Sequence, residues 1–228
     1  SSLKKVTKTN LATDTTGTDA LSGTYTINQR LALLNYMGYQ TTFPAAATQT
    51  TLTSTEINTL AVNPASPYRF LGGAVHSTPL MLTKEATVSG ANAAGTRDEY
   101  TVYGSMDGGL HIVNASTGKE QSVFVPPEII TNQYDTLATK DSKGVASLSG
   151  IAYGVDAPWV ADNTFKVQIT KSGTATTTKY VANKMNIYGG LRMGGSGLYG
   201  LDILSPASPK LLFQIKPTTT NEFQSSAF

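Results

Sequence analysis

Apolar residues recur along this chain with two different periods, and the change between them divides it. Ile27, Leu31 and Leu34 fall on one face of a 3.6-residue period. Thr26-Ile27-Asn28-Gln29 has the spacing of a capping box, and Gly38 supplies a stop, so a short amphipathic helix is predicted. A second box, Thr53-Ser54-Thr55-Glu56, precedes Ile57 and Leu60, and Pro64 closes any helix there. Residues 41–51 read as a Thr/Ala loop between the two helices. Residues 1–24 are polar, poor in aromatics and rich in Thr, Asp and Gly, which predicts an extended lead-in.

From Tyr68 onward the period shortens to that of strands broken by turn residues, first at 78–82 and then at 100–103. Asp107-Gly108-Gly109 between Tyr100-Thr101-Val102-Tyr103 and Leu110-His111-Ile112-Val113 is the strongest hairpin signal, because Asp-Gly tolerates positive φ. Ser116-Thr117-Gly118-Lys119 makes the next turn, Val123-Phe124-Val125 the next strand, and Pro126-Pro127 ends it.

The strand pattern repeats. Gly109-Leu110-His111-Ile112-Val113-Asn114 aligns with Gly197-Leu198-Tyr199-Gly200-Leu201-Asp202, and residues 101–105 are echoed at 185–190. Ser77-Thr78-Pro79-Leu80-Met81 and Asp156-Ala157-Pro158-Trp159-Val160 open the two copies with Pro at a strand start. Each copy reads as a four-stranded propeller blade with long insertions, and residues 131–149 read as the connector. The expected fold is therefore mainly β: a partial β-propeller of about two blades preceded by two short helices. Its parts are a Thr-rich lead-in (1–66) and the N-terminal part of an incomplete propeller (67–228). Propellers close with four to eight blades, so two blades imply a piece of a longer chain. The start at Ser1-Ser2-Leu3 and the run-on ending at 218–223 fit that expectation.

Composition narrows the function classes. The chain holds 34 Thr in 228 residues, which suits pleated strands. Only 14% of residues are charged and the net charge is +2, against roughly 25% charged in ordinary domains. No basic stripe of the kind that binds nucleic acid is present. The best apolar run, 68–75, contains Arg69 and stops at eight residues, short of the about 18 that a membrane helix needs. The absence of Cys removes disulfides, thiol nucleophiles and cysteine-ligated metal centres. Low charge and many hydroxyls suit a bacterial surface protein.

Four segments together resemble the PilC/PilY-type proteins of bacterial type IV pili, in their C-terminal β-propeller. Residues 70–79 (Phe-Leu-Gly-Gly-Ala-Val-His-Ser-Thr-Pro) are similar to the family's Leu-Gly-Asp-Ile-Val-His-Ser-x-Pro strand, and residues 103–111 to its Asn-Asp-Gly-x-Leu-His hairpin. Thr117-Gly118-Lys119-Glu120 with Phe124-Val125-Pro126 resembles its Thr-Gly-x-Glu…Tyr/Phe-Val-Pro passage. Residues 189–202 resemble its Gly-rich stretch ending Ala-Leu-Asp. Asn35-Tyr36-Met37-Gly38 corresponds to the Asn-Tyr-x-Arg-Gly segment ahead of the propeller. Gly73 and Met37 stand where the family often has Asp and Arg. The resemblance covers about residues 68–215. It implies a non-enzymatic protein at the pilus tip, acting in assembly, retraction control and adhesion, with minor pilins and a host or abiotic surface as partners. The implied location is the cell surface, with periplasm or outer membrane during assembly. The family's calcium loop lies elsewhere in the parent, and no Asp-x-Asp-x-Asp or Arg-Gly-Asp occurs here.

Candidate chemistry is sparse, and no catalytic, cofactor-binding or metal residue is assigned. His76 and His111 are expected to pack or to hydrogen-bond. Ser77 beside His76 points to the other face of a strand, which excludes a nucleophile–base pair. The Gly-rich run 189–200 lacks the following helix of a phosphate cradle, so close backbone approach in a hairpin is expected. Asp141-Ser142-Lys143-Gly144 and Asp162-Asn163 read as surface turns rather than calcium loops. Trp159 is expected to bury its ring with its N–H hydrogen-bonded. Binding is expected on the insertions 84–99, 131–149 and 171–179. The alternatives are a fragment of a quinoprotein-type propeller dehydrogenase, whose blade repeat residues 109–119 also resemble, and an unrelated extracellular structural β-module.

Overall fold

The computed structural model describes residues 2–43, 45–62, 72–89, 95–138, 153–217 and 223–227. Both capping boxes form. Thr26 caps α1 (Ile27–Tyr36) and Thr53 caps α2 (Ser54–Thr59), each accepting from the N3 backbone N–H while the N3 Gln29 or Glu56 side chain returns to the cap. Gly38 ends α1 with φ +92°, and Pro64 lies outside the described residues.

Residues before α1 are more ordered than their polarity predicts. Thr9–Leu11 forms a 3₁₀ turn, and Leu11, Ala12 and Leu21 join the same buried cluster as Leu31 and Leu34 of α1. The lead-in lacks a core of its own and borrows that of its neighbour.

The strands are β1 (Leu80–Ser89), β2 (Thr96–Gly104), β3 (Leu110–Asn114) and β4 (Glu120–Phe124), then β5 (Trp159–Ser172), β6 (Ala175–Gly190), β7 (Leu198–Asp202), β8 (Lys210–Pro217) and β9 (Phe223–Ala227). They make one antiparallel sheet in the order β4-β3-β2-β1-β6-β7-β8-β9, with β5 on the other edge of β6. The sheet curls into a half-barrel. Both opening prolines sit immediately before β1 and β5. Residues 84–99 and 171–179 are mostly strand rather than loop insertions: 84–89 and 96–99 belong to β1 and β2, and 171–172 and 175–179 to β5 and β6 on either side of a two-residue turn, while 90–94 lie outside the described residues. Glu85–Ser89 of β1 pairs with Thr177–Val181 of β6, fusing the two meanders into one sheet. A third helix, α3 (Pro127–Asn132), precedes the predicted connector 131–149 and runs only into its start, its Pro127 at a position where no amide donor is needed; residues 139–149 of that connector lie outside the described residues. A 3₁₀ turn, Tyr134–Leu137, follows it.

The internal repeat holds at the level of register. Pairs Tyr100↔Asn114 through Gly104↔Leu110 become Asn186↔Asp202 through Gly190↔Leu198 when β2 is advanced by 86 residues and β3 by 88. The β3–β4 ladder slips between Ile112 and Val113, and the β7–β8 ladder slips between Gly200 and Leu201, again 88 residues on.

Equivalent positions do not all share their burial: Val102 and Leu110 are buried where Tyr188 is half-buried and Leu198 exposed, although His111 and Tyr199, like Ile112 and Gly200, are buried in both copies. In the first meander the row Leu80–Val102–Ile112 and the pair Leu110–Phe124 face inward. In the second, the inward rows are Trp159–Gly189–Tyr199 and Ile187–Leu201, which correspond to the first meander's other face; Ala161, paired with Ile187 at the sheet's edge, is exposed. The two unlike faces meet where Phe124 packs edge-on against Tyr199 at 5.3 Å and where Ser122 Oγ donates to the Pro206 carbonyl at 2.5 Å. Leu110 is 0% exposed, whereas its equivalent Leu198 is 47% exposed.

Leu110→Ala is therefore expected to cost about 2–5 kcal/mol in denaturant unfolding, and Leu198→Ala within about 0.5 kcal/mol of nothing. Equal losses at the two positions would contradict the unlike-face packing.

Candidate functional site

The densest polar cluster grows out of the Asp107-Gly108 turn that sets the β2–β3 register. Gly108 takes φ +105°, which folds Ser105 and Asp107 back over the start of β3, where His111 stands. Ser105 Oγ lies 2.8 Å from His111 Nε2, and His111 Nδ1 lies 2.6 Å from Glu120 Oε2 on β4. Asp107 Oδ1 accepts from the Ser105 hydroxyl, from His111 Nε2 at 3.4 Å and from the Tyr36 hydroxyl of α1 at 3.4 Å. Asp107 Oδ2 accepts the Gly72 N–H at 3.3 Å. The Tyr103 ring stacks on the imidazole at 5.1 Å. Ser105, Asp107 and His111 are all buried.

Serine, histidine and glutamate thus stand in the order of a nucleophile relay, yet the electrostatics oppose one. Burial disfavours charge on His111, but the hydrogen bonds and negative charges of Asp107 and Glu120 outweigh it and push its pKa up to about 9. At neutral pH the ring is an imidazolium that donates from both nitrogens and has no lone pair to accept the Ser105 proton. The Ser105 hydroxyl is 0% exposed and is already used by Asp107. The cluster is a charged staple that ties β3, β4, α1 and the segment at Gly72 together.

His76 joins a different group. Its Nδ1 donates to Asp156 Oδ2 at 2.7 Å and its backbone N–H donates to Asp156 Oδ1 at 3.3 Å, while Arg192 Nη1 donates to the same Oδ2 at 3.1 Å. Asp156, 2% exposed, thereby clamps the segment before β1 to the β6–β7 turn. Arg192 holds φ +51° there. Ser77 accepts the Gly104 N–H at 2.7 Å, so it serves the β2 backbone and forms no pair with His76.

The Gly-rich turn does bring backbones into close approach. A Cβ on Gly194 would sit 1.6 Å from the Gly154 carbonyl oxygen, and one on Gly197 would sit 2.1 Å from Glu128 Oε1. The anion in this cradle is the protein's own: Glu128, in the first turn of α3, accepts from Ser196 N at 3.0 Å and from the Tyr199 hydroxyl at 3.1 Å. Burial first, then the Glu128 charge, raises the Tyr199 pKa and keeps that hydroxyl a donor. Gln133 completes the clamp, donating to Gly194 O at 2.6 Å and accepting from Gly154 N at 3.2 Å.

Asp162 lies within β5, not in a turn, and receives Lys184 Nζ at 2.7 Å. Residues 141–144 lie outside the described residues. Trp159 is buried as expected, but among the described residues its Nε1 has no hydrogen-bond partner. Its ring fills the space above Gly189, where a Cβ would come within 2.4 Å, so packing rather than a polar handle fixes its orientation.

The residues that sequence reasoning missed are Ser105, Asp107, Glu120, Glu128 and Gln133. A signal existed for the first three: once the Asp107-Gly108 turn fixes the register, Ser105 and Asp107 flank the base of the hairpin that carries His111. Among the described residues no three His, Asp or Glu gather as a metal site requires, and no helix is long and apolar enough to cross a membrane.

No protein family, no curated protein and no solved structure matches this chain.

The His111 pKa sets a pH dependence. Below the unfolded value of about 6.5 folded and unfolded states both carry the proton, and its stabilisation is complete. Between there and about 9 only the folded state holds it, so stability falls as pH rises and the contribution is gone above about 9. Urea midpoints taken from pH 6 to 10 are expected to show this fall, on the order of 3 kcal/mol, in the native chain. A His111→Gln variant should lose it; an unchanged slope in that variant would refute the assignment.

Proposed function

We propose that this chain acts without enzymatic chemistry at the tip of a bacterial type IV pilus, in assembly, retraction control and adhesion, with minor pilins as partners. The observation that carries the reading is the coincidence of motif and register. The segment at 103–111 forms the first hairpin turn and the start of β3, and the segment at 189–202 forms the second hairpin turn and β7. The family-like residues therefore fall at equivalent places in two copies of one unit.

The same reading makes the two meanders consecutive units of a propeller-like radial array. Packing of unlike faces supports this, because a contact that joins the front of one unit to the back of the next can be repeated around a ring. Repeating it would bring a further unit onto the outer face of the second meander, where Val160 and Leu198 are exposed and Tyr188 stacks on Phe213 at 5.9 Å. The Ser105–His111 pair, buried and with its imidazole protonated by the carboxylates around it, supports a binding rather than a catalytic role.

Deleting the encoding gene and counting surface pili tests the proposal. Fewer pili and weaker surface attachment, both restored by complementation, are expected. Normal pilus number together with normal attachment and retraction would overturn it.

A further inference from the structure

β5 is paired on one side only. Its fourteen residues, Trp159–Ser172, bond to β6 along one edge, and among the described residues no strand takes the other. Natural sheets usually blunt such an edge with proline, a bulge or a charge. β5 contains no Pro or Gly, and the irregularity opposite Thr164/Phe165 places the extra residue, Asn183, on β6. Phe165, Val167 and Ile169 alternate along it, 42%, 54% and 64% exposed. Lys166 is the one charge in the middle of the strand, and it makes no ion pair among the described residues.

We propose that a second copy of this chain pairs with β5 edge to edge, antiparallel, about a twofold axis at Thr164. An axis perpendicular to the sheet keeps each face on its own side, so only residues of like parity can stand opposite one another. With the axis at Thr164, Asp162 of each copy faces Lys166 of the other, Val167 faces Ala161 and Phe165 faces Asn163. With the axis at Lys166, two lysines face each other. At Phe165, Asp162 faces Gln168; at Val167, it faces Ser172. The register at Thr164 is thus the one among these that sets opposite charges across the seam, where they contribute, while like charges directly opposite destabilise; Asp162, which already receives Lys184 Nζ of its own chain at 2.7 Å, would be shared between the two lysines. It turns the edge-guarding lysine into a recognition contact for another β5 and rejects a strand lacking a carboxylate at that position. The inference rests on the strand and its charges, independently of the pilus reading.

Because the chain has no cysteine, the seam can be tested by single cysteines. Sedimentation equilibrium of the native chain is expected to give a concentration-dependent shift from 24.0 kDa towards twice that mass. Lys166→Asp should hold it at the lower mass with an unchanged circular dichroism spectrum, and the Asp162→Lys/Lys166→Asp/Lys184→Asp triple variant, which reverses the seam and keeps an opposite charge beside position 162 within the chain, should regain the dimer. Thr164→Cys should cross-link to itself under mild oxidation or with a short bis-maleimide, and Gln168→Cys should not. A native chain that stays at 24.0 kDa at all concentrations, or cross-linking at Gln168→Cys as fast as at Thr164→Cys, would overturn the proposal.

Discussion

A sixteen-residue strand carries more backbone donors and acceptors than a short neighbour can satisfy, and β6 is such a strand. β5 covers one of its edges from end to end. The other edge is shared: β1 takes its beginning, at Thr177–Val181, and β7 takes its end, at Asn186–Gly190. This division of one edge between two partners is what makes a single sheet of two meanders. It also fixes how far the meanders diverge, since each leaves β6 at a different point along its twist. The half-barrel, the buried cluster inside it and the clamps at its rim all follow from that sharing.

The rim is where polar chemistry concentrates, and in each case it serves backbone that a turn has left without partners. Asp107 stands in the turn of the first hairpin with His111 at the start of β3, and Glu128 and Gln133 reach from α3 and the residue after it into the turn of the second. The two solutions differ because the first turn brings its own Asp, while the second is nearly all glycine and recruits side chains from α3. A Ser–His–Glu line whose serine and histidine are buried beside a second acid illustrates that geometry alone does not make a relay. The proton inventory decides, and here it gives a cation held by two carboxylates.

Two copies of one unit meet through unlike faces, so some equivalent residues differ in burial. Leu110 and Leu198 share a register position and differ from fully buried to about half exposed. A mutation at one copy therefore does not predict the outcome at the other, although the backbone repeats closely enough to conserve even the slip in the third ladder position.

Local signals in the sequence determined much of this. Two capping boxes, the glycine at the end of α1, the Asp-Gly turn, the prolines before β1 and β5 and the doubled strand motif are all decided by residues within a few positions of one another, where steric and hydrogen-bonding rules act without knowledge of the rest. The tertiary structure alone decided which face of each copy is buried, that Leu11 and Leu21 order the lead-in, that residues 84–89, 96–99, 171–172 and 175–179 belong to strands, and that Glu128 enters the turn at Gly194–Gly197. Each of these depends on a partner far along the chain, and period-2 alternation says that a strand has two faces without saying which one another strand will cover.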